Sequence, residues 1–391
     1  MSDTELPPEA AVTLEGLTFR SAHGLLRGCE GRESWRNAGE PCSPPDWTPA
    51  GNHPVSHTGG EKLRLELLLT LQSPGEGTGP LALLGKGPQE LTLARQGISL
   101  GPGSTAVEVV SARPLEKRIA KLSLEIRWSL SGGATLSPDR SGNLVYVTMG
   151  RPREDRQDHW QEDGVTLKRM DRAVTWVEPM HTTEPHAIIE ALMAKFPHYA
   201  LRPSPEVPRV YHHPTYFNDA GGAWAMSDHV AASGECQAIV RLIRGILRQL
   251  GVPGKARVLV VWGDPEIDGG RKAVSADWEE RPSGGLDRTK MVNGQRWLAT
   301  LVDEAVEEGK TYPASSTPQP DGGASPGFNR YEACLEFTHG GKTRYYAGGA
   351  GVLETREAVL TVFWGLVWVT PGPNEGFKVE KIVARYGEGE S

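Results

Sequence analysis

The chain has 391 residues and a formal net charge of −7 at pH 7, and 38% of its residues are hydrophobic against 23% charged. A chain of this length is longer than most domains built around a single hydrophobic core, which predicts two globular domains. Its 47 glycines and 30 prolines indicate many turns and much β structure. Because the balance is acidic and Lys and Arg form no cluster, the composition argues against nucleic acid or an anionic membrane surface as the main partner.

Residues 1–11 are predicted to form a disordered tail, since they are acidic and contain no apolar core. The same pattern argues against a cleaved secretory signal. The longest strongly apolar run, Val359 to Val369, has 11 residues, whereas a membrane-spanning helix needs about 20. With only four cysteines, we expect a cytoplasmic protein, or one exported without a cleaved signal peptide.

Short β patterns separated by Gly, Pro and Ser fill residues 12–151. The stretches Ala106 to Val110, Leu122 to Trp128 and Leu144 to Met149 alternate between apolar and polar residues, as half-buried strands do. Strands at this spacing, with turn signals such as Ser131-Gly132-Gly133 between them, predict an antiparallel β-sandwich domain.

A charged connector at 152–164 is the predicted domain boundary, and 165–391 is the predicted second domain. It opens with helical patterns from Thr166 to Val174 and from Glu184 to Phe196. Helices followed by strands make the predicted fold class of the whole chain α+β, with the β-sandwich first.

A single helix with a cysteine in its first turn is the most informative element. Apolar residues recur at helical spacing from Ile239 to Leu250, Gly251 and Pro253 end the pattern, and a β run follows to Trp262. A cysteine at a helix N-terminus, here Cys236, has its thiol pKa lowered by the helix dipole, which favours the nucleophilic thiolate. The alternative is an inert, buried thiol, since free cysteine is among the most buried residue types.

The chain then closes with β patterns. Residues 311–327 predict a mobile loop rich in Pro, Ser and Gly, and a β-hairpin with a His339-Gly340-Gly341 turn follows. One apolar element from Ala358 to Val369 and a last strand from Phe377 to Val383 complete the predicted domain.

This order of elements, with a cysteine opening a central helix and a Leu-Gly-Val-Pro turn at 250–253, resembles the transglutaminase-like branch of the papain-like superfamily, bacterial type. The resemblance covers roughly residues 165–390 and is most specific from Gly234 to Trp262. It implies that Cys236 attacks a polypeptide amide to form a thioester. It also implies a His on a following strand as the base and an Asp one strand later that orients the His.

The chain departs from this pattern at both of those strands. The best match to the first, residues 328–333, contains no histidine, and the best match to the second, residues 345–349, has Ala347 in the place of the Asp. Tyr331 in the first of these stretches offers a phenol instead. With a pKa of about 10, a phenol is a poor base for a thiol at neutral pH. The predicted cleft-lining residues on these strands are Asn329, Tyr331, Glu332 and Tyr346.

Two functions therefore remain open. The first is an active cysteine protease, deamidase or transglutaminase, with His213, His229 or His339 as a rearranged base for Cys236 and Trp224 as an oxyanion donor. The second, slightly favoured, is a pseudoenzyme that keeps the scaffold and binds a protein partner, for which 11 tryptophans and nine tyrosines offer material.

We expect neither a cofactor nor a metal. Cys29, Cys42, His53 and His57 are separated by 13, 11 and 4 positions and lack a short Cys-x-x-Cys knuckle, so they are best interpreted as scattered loop residues. No phosphate-binding or dinucleotide-binding Gly-rich motif is present in the sequence.

Overall fold

A computed structural model gives the fold of the chain, which divides into two compact units. The first unit contains the described residues up to 153 together with 165–183 and 248–252, and the second contains those at 184–247 and from 253 onward. With 53% of the described residues in strands and 17% in helices, the fold is mostly β and agrees with the predicted α+β class. The residues that the structure describes are 10–27, 41–72, 78–132, 134–153, 165–193, 236–267, 270–275, 291–292, 296–301, 307–312, 328–329, 331–346, 352–362, 365–373 and 376–384.

An eleven-stranded, curled sheet makes up most of the first unit. Its strands are β1 (Ala10–Phe19), β3 (Trp47–Thr48), β4 (Gly51–Asn52), β5 (Val55–Thr58), β6 (Arg64–Leu71), β7 (Leu81–Lys86), β8 (Thr92–Ile98), β9 (Gly103–Ser111), β10 (Ala120–Ser131), β11 (Ala134–Ser137) and β12 (Arg140–Thr148). They run in the order β4-β3-β1-β6-β9-β8-β7-β10-β12-β5, and β11 pairs with β1. Two more strands, β2 (Leu25–Leu26) and β13 (Val165–Thr166), pair in parallel as a separate small sheet.

Alternation along these strands builds the core of the first unit. In β6, for example, Leu65, Leu67 and Leu69 are fully buried and the residues between them are more exposed. The three stretches that the sequence predicts as strands fall on β9, β10 and β12. Hydrogen bonds join the strands of this unit in one curled sheet that is mostly antiparallel, with parallel pairs at β1–β11 and β5–β12. Alternation indicates which side chains face the core and does not indicate which strands pair.

Helix α1 (Leu167–Val177) belongs to the first unit, although sequence analysis places it in the second domain. Its N-cap is Thr166, whose Oγ1 accepts a hydrogen bond from the Arg169 N–H at 3.3 Å. The helix contacts β10 and β12 of the curled sheet, and a short 3₁₀ turn, Glu178–Met180, follows it. The packing of α1 thus decides its unit, which the composition of the connector does not reveal.

The second unit combines three helices with two antiparallel sheets. The helices are α2 (Pro185–Met193), α3 (Cys236–Gln249) and α4 (Arg356–Val362). The first sheet has the order β15-β14-β20-β21-β22, and its strands are β14 (Lys255–Gly263), β15 (Arg271–Ser275), β20 (Tyr331–His339), β21 (Lys342–Tyr346) and β22 (Val352–Leu353). The second has the order β16-β17-β23-β24-β18, with β19 on β17; its strands are β16 (Met291–Val292), β17 (Arg296–Leu301), β18 (Thr311–Tyr312), β19 (Phe328–Asn329), β23 (Gly365–Pro371) and β24 (Phe377–Ala384).

Most predicted elements of this unit are confirmed where the structure describes them. The cysteine helix, its glycine stop and the β20–β21 hairpin lie where the sequence predicts them, and Gly251 has the positive φ of a helix terminator, +61°. The single apolar element predicted at 358–369 is wrong, because α4 ends at Val362 and β23 begins at Gly365. Of the predicted loop at 311–327, only the first two residues are described, and they form β18. None of the described helices is long and apolar enough to cross a bilayer.

Candidate functional site

Cys236 is the first residue of α3, so its backbone lies at the N-terminal end of the helix as predicted. The helix buries Val240, Ile243 and Leu247 on its apolar face. The side chain of Cys236 is outside what the structure describes. The same holds for the side chains of Asn329, Tyr331 and Glu332, and the whole of His213, Trp224, His229 and Ala347 lies outside the described residues.

The backbone of the predicted cleft strand is nevertheless placed. Tyr331 and Glu332 open β20 opposite Trp262 and Val261, at the end of β14. His339 closes the same strand opposite Lys342, at the hairpin turn. At about 3.4 Å per residue, the eight steps from Tyr331 to His339 span roughly 27 Å. His339 and the strand position at which the resemblance implies a base thus lie at opposite ends of β20.

Two of the predicted site residues, His339 and Tyr346, do come together in the structure. They meet His186 of α2, which sequence analysis did not select. His186 Nδ1 and Tyr346 Oη are joined by a hydrogen bond of 2.5 Å. The His186 ring stands edge-on to Phe337 at 5.3 Å between centroids and lies 6.5 Å from the His339 ring. We call His186, Phe337, His339 and Tyr346 the His186 cluster.

Local folding explains how each member reaches the cluster. Glu184 precedes α2, and its Oε2 accepts a hydrogen bond from the Ala187 N–H at 2.6 Å, which caps the helix start next to His186. On the hairpin, the pairs Phe337–Arg344 and His339–Lys342 share one face of the sheet with Tyr346. His186 has one sequence signal, because it occupies the same stripe of α2 as the buried Ile189 and Met193.

Burial keeps the central pair of the cluster neutral. His186 is 8% exposed and Tyr346 is fully buried. Burial lowers the pKa of His186; Glu184 opposes this shift, and Arg344, His339 and Lys342 lower the pKa further. Burial also raises the pKa of the Tyr346 phenol. A neutral imidazole bonded to a neutral phenol in a closed environment can fasten two elements, but it does not offer a substrate-accessible base.

A second polar network lies on the opposite face of this sheet from the His186 cluster. Glu336 is buried between two guanidinium groups, with Arg356 Nη2 at 3.0 Å and Arg257 Nη1 at 3.4 Å from its carboxylate oxygens. Arg356 comes from α4, so the network ties this helix to β14 and β20. Paired on both sides, Glu336 serves packing.

Three histidines of the first unit, His23, His53 and His57, form structural contacts. His57 is fully buried, with Nε2 3.1 Å from Ser21 Oγ, and His23 Nε2 lies 2.9 Å from Thr58 Oγ1. His53 Nε2 lies 3.4 Å from a carboxylate oxygen of the buried Asp46. Among the described residues, no three or more His, Cys, Asp or Glu side chains are grouped so that they could hold a metal ion. Of the four scattered Cys and His residues considered in the sequence, Cys29 lies outside the described residues.

No protein-family model matches this chain, and a search of curated proteins finds no match.

Proposed function

We propose that residues 165–390 derive from a transglutaminase-like scaffold that has lost its base and orienting residue, and that the protein binds polypeptide rather than cleaving it. The order of elements supports the scaffold. Cys236 begins a helix that ends at Gly251, and an antiparallel sheet follows from β14. The loss of function is supported by the residues found where the catalytic partners should lie.

The observation that carries the proposal is the position of His339, the one histidine that follows Cys236 in the sequence. It lies at the hairpin end of β20, and its ring stacks on Phe337 at 6.5 Å. The other end of the strand offers Tyr331 and Glu332. Without an imidazole to take its proton, a thiol is a weak nucleophile at neutral pH.

Amine incorporation tests whether the chain transfers acyl groups. The purified full chain is incubated with a glutamine-containing peptide and a fluorescent primary amine, beside the Cys236→Ala variant. We expect no incorporation above that variant. If the wild-type chain labels the peptide and Cys236→Ala does not, the pseudoenzyme proposal is wrong, and His213 and His229 become the first bases to substitute.

Thiol labelling tests activation directly. The full chain is treated with iodoacetamide from about pH 6 to pH 9, around the ordinary thiol pKa, and each cysteine is followed by peptide mass spectrometry with N-acetylcysteine as reference. We expect the labelling rate of Cys236 to rise steadily with pH, because the helix dipole lowers the thiol pKa but no imidazole holds the thiolate at pH 6. Fast labelling of Cys236 at pH 6 would contradict the loss of activation.

Peptide binding tests the second part of the proposal, that the protein binds polypeptide. An array of peptides is probed with the wild-type chain and with Cys236→Ala, and the affinity of each retained peptide is measured in solution. Since recognition by a retained cleft needs no thiolate, we expect both proteins to select the same peptides with equal affinity. If neither protein retains any peptide, polypeptide binding is refuted even if the labelling results hold.

A further inference from the structure

Between described residues, the polar contacts of helix α2 with the β20–β21 hairpin include two side-chain pairs. The shortest is the 2.5 Å hydrogen bond between His186 and Tyr346. One turn further along α2, Glu190 lies 3.9 Å from Arg344. The side chain of Glu190 is about half exposed in this pair. The rest of the buried face of α2 is apolar and is formed by Ile188, Ile189, Leu192 and Met193. Among these contacts, only the His186 bond has a group that titrates near neutral pH.

Side chains of both charges surround His186. On α2 itself lie Glu184 and Glu190; on β20 lies His339; on β21 lie Lys342 and Arg344, beside the neutral Tyr346. Glu354 is already paired, with Arg344 Nε at 3.3 Å and Lys342 Nζ at 3.5 Å. Glu190 also faces Arg344. Of the carboxylates named, Glu184 acts on His186, and its Oε2 already caps the helix.

We propose that protonation of His186 loosens α2 from the β20–β21 hairpin, so that this attachment acts as a pH-sensitive strap. A charged imidazole in this position is buried beside two cationic side chains and a second histidine, and the attraction of Glu184 does not make up for its lost solvation. Release returns the imidazole to water and uncovers Phe337 and Tyr346. The strap does not depend on Cys236 and stands whether or not the chain binds polypeptide.

The direction of the pH dependence follows from linkage. The folded-state pKa of His186 lies below its unfolded value of 6.5. In this case the released form binds more protons than the attached form as the pH falls. The attachment is therefore at full strength above pH 6.5 and weakens progressively as the pH falls through that value toward the lowered folded pKa.

Amide hydrogen exchange of the full chain tests the strap. Exchange is measured by mass spectrometry at about pH 7.5 and pH 5, on either side of the ordinary histidine pKa, and corrected for the intrinsic effect of pH. We expect the α2 amides to exchange about tenfold faster or more at the lower pH, while amides of β6 in the first unit keep their protection. Equal loss of protection in β6 would indicate global unfolding and would overturn the proposal.

Three variants assign the effect to His186. His186→Gln keeps a polar group for Tyr346 and cannot take a proton, and His186→Phe keeps ring volume; both should remove the pH dependence of α2 exchange. His181→Asn is the matched control, since His181 is exposed and left-handed at φ +50°, which Asn accepts, and it should leave the dependence intact. If the variants do not fold, an NMR titration of His186 in the wild-type chain tests the proposal instead. A His186 midpoint that does not follow the α2 exchange midpoint would refute the strap.

Discussion

At the residue scale, the core of the first unit depends on one glycine that makes room for an indole. Gly85 of β7 pairs directly with Trp128 of β10. Trp128 is 1% exposed, and its Nε1 donates a hydrogen bond to Ser141 Oγ at 2.9 Å. A Cβ on residue 85 would lie 2.5 Å from Cζ3 of the indole ring. The ring therefore fills the space that any other residue would need, and it cannot move away without breaking its own hydrogen bond.

We accordingly expect Gly85→Ala to lower the free energy of unfolding by about 1–3 kcal/mol, the usual cost of overpacking. The measurement is urea unfolding. Gly142→Ala on β12 is the matched control, because its new Cβ meets only Glu125 Cγ at 3.9 Å. The control should be neutral or slightly stabilising, since alanine is the better residue inside a strand. Equal destabilisation by the two variants would contradict the placement of Trp128 over Gly85.

At the element scale, α1 is held on the curled sheet by a small polar network. Tyr146 Oη of β12 donates to Asp171 Oδ1 at 2.8 Å, and Lys121 of β10 forms an ion pair with the same carboxylate. Lys121 N–H also donates to Glu178 Oε1, at 3.0 Å. Burial raises the pKa of the Tyr146 phenol, and the hydrogen bond and charge of Asp171 raise it further. The phenol is therefore a permanent donor, and α1 is fixed to two strands at once.

Tyr146→Phe should therefore lower the free energy of unfolding by about 1 kcal/mol, and Asp171→Ala by about 1–2 kcal/mol, because the latter leaves the buried hydroxyl without its acceptor. The ion pair with Lys121 adds little, since both side chains are partly exposed. Glu116→Gln removes the exposed Arg118–Glu116 pair and serves as the control, with an expected change near zero. If Tyr146→Phe matches this control in urea unfolding, the network does not hold the helix.

Some elements can be predicted from the sequence and others cannot, because some depend on signals within a few residues and others on residues far apart in the chain. The turn of the β20–β21 hairpin and the extent of α3 are encoded within a few residues by glycines and by apolar periodicity. The stretch from 358 to 369 is uniformly apolar, and such composition does not separate α4 from β23. The His186–Tyr346 bond joins residues 160 positions apart, so no local pattern predicts it.

At the scale of the whole molecule, the chain crosses between its two units more often than a boundary at one connector implies. Helix α2 and most of α3 belong to the second unit, whereas residues 248–252 belong to the first. There Met149 N–H donates to Leu250 O at 2.9 Å and Arg153 N–H donates to Arg248 O at 3.0 Å. The last residues of α3 are thus bonded to the segment that follows β12, within the first unit.

The closest approach in this segment gives the last prediction. A Cβ on Gly251 would lie 2.3 Å from the carbonyl carbon and oxygen of Gly150, and the φ of Gly251 is +61°. Gly97 has a similar φ, +68°, with open space around it, so Gly97→Ala measures the conformational cost alone, about 1 kcal/mol. Gly251→Ala should cost about 1–3 kcal/mol more, because backbone has to move. Urea unfolding gives this difference, and exchange at residues 149–153 should rise in Gly251→Ala only. If the two variants unfold at the same urea concentration, residues 150 and 251 do not meet, and the return of the chain to the first unit is disproved.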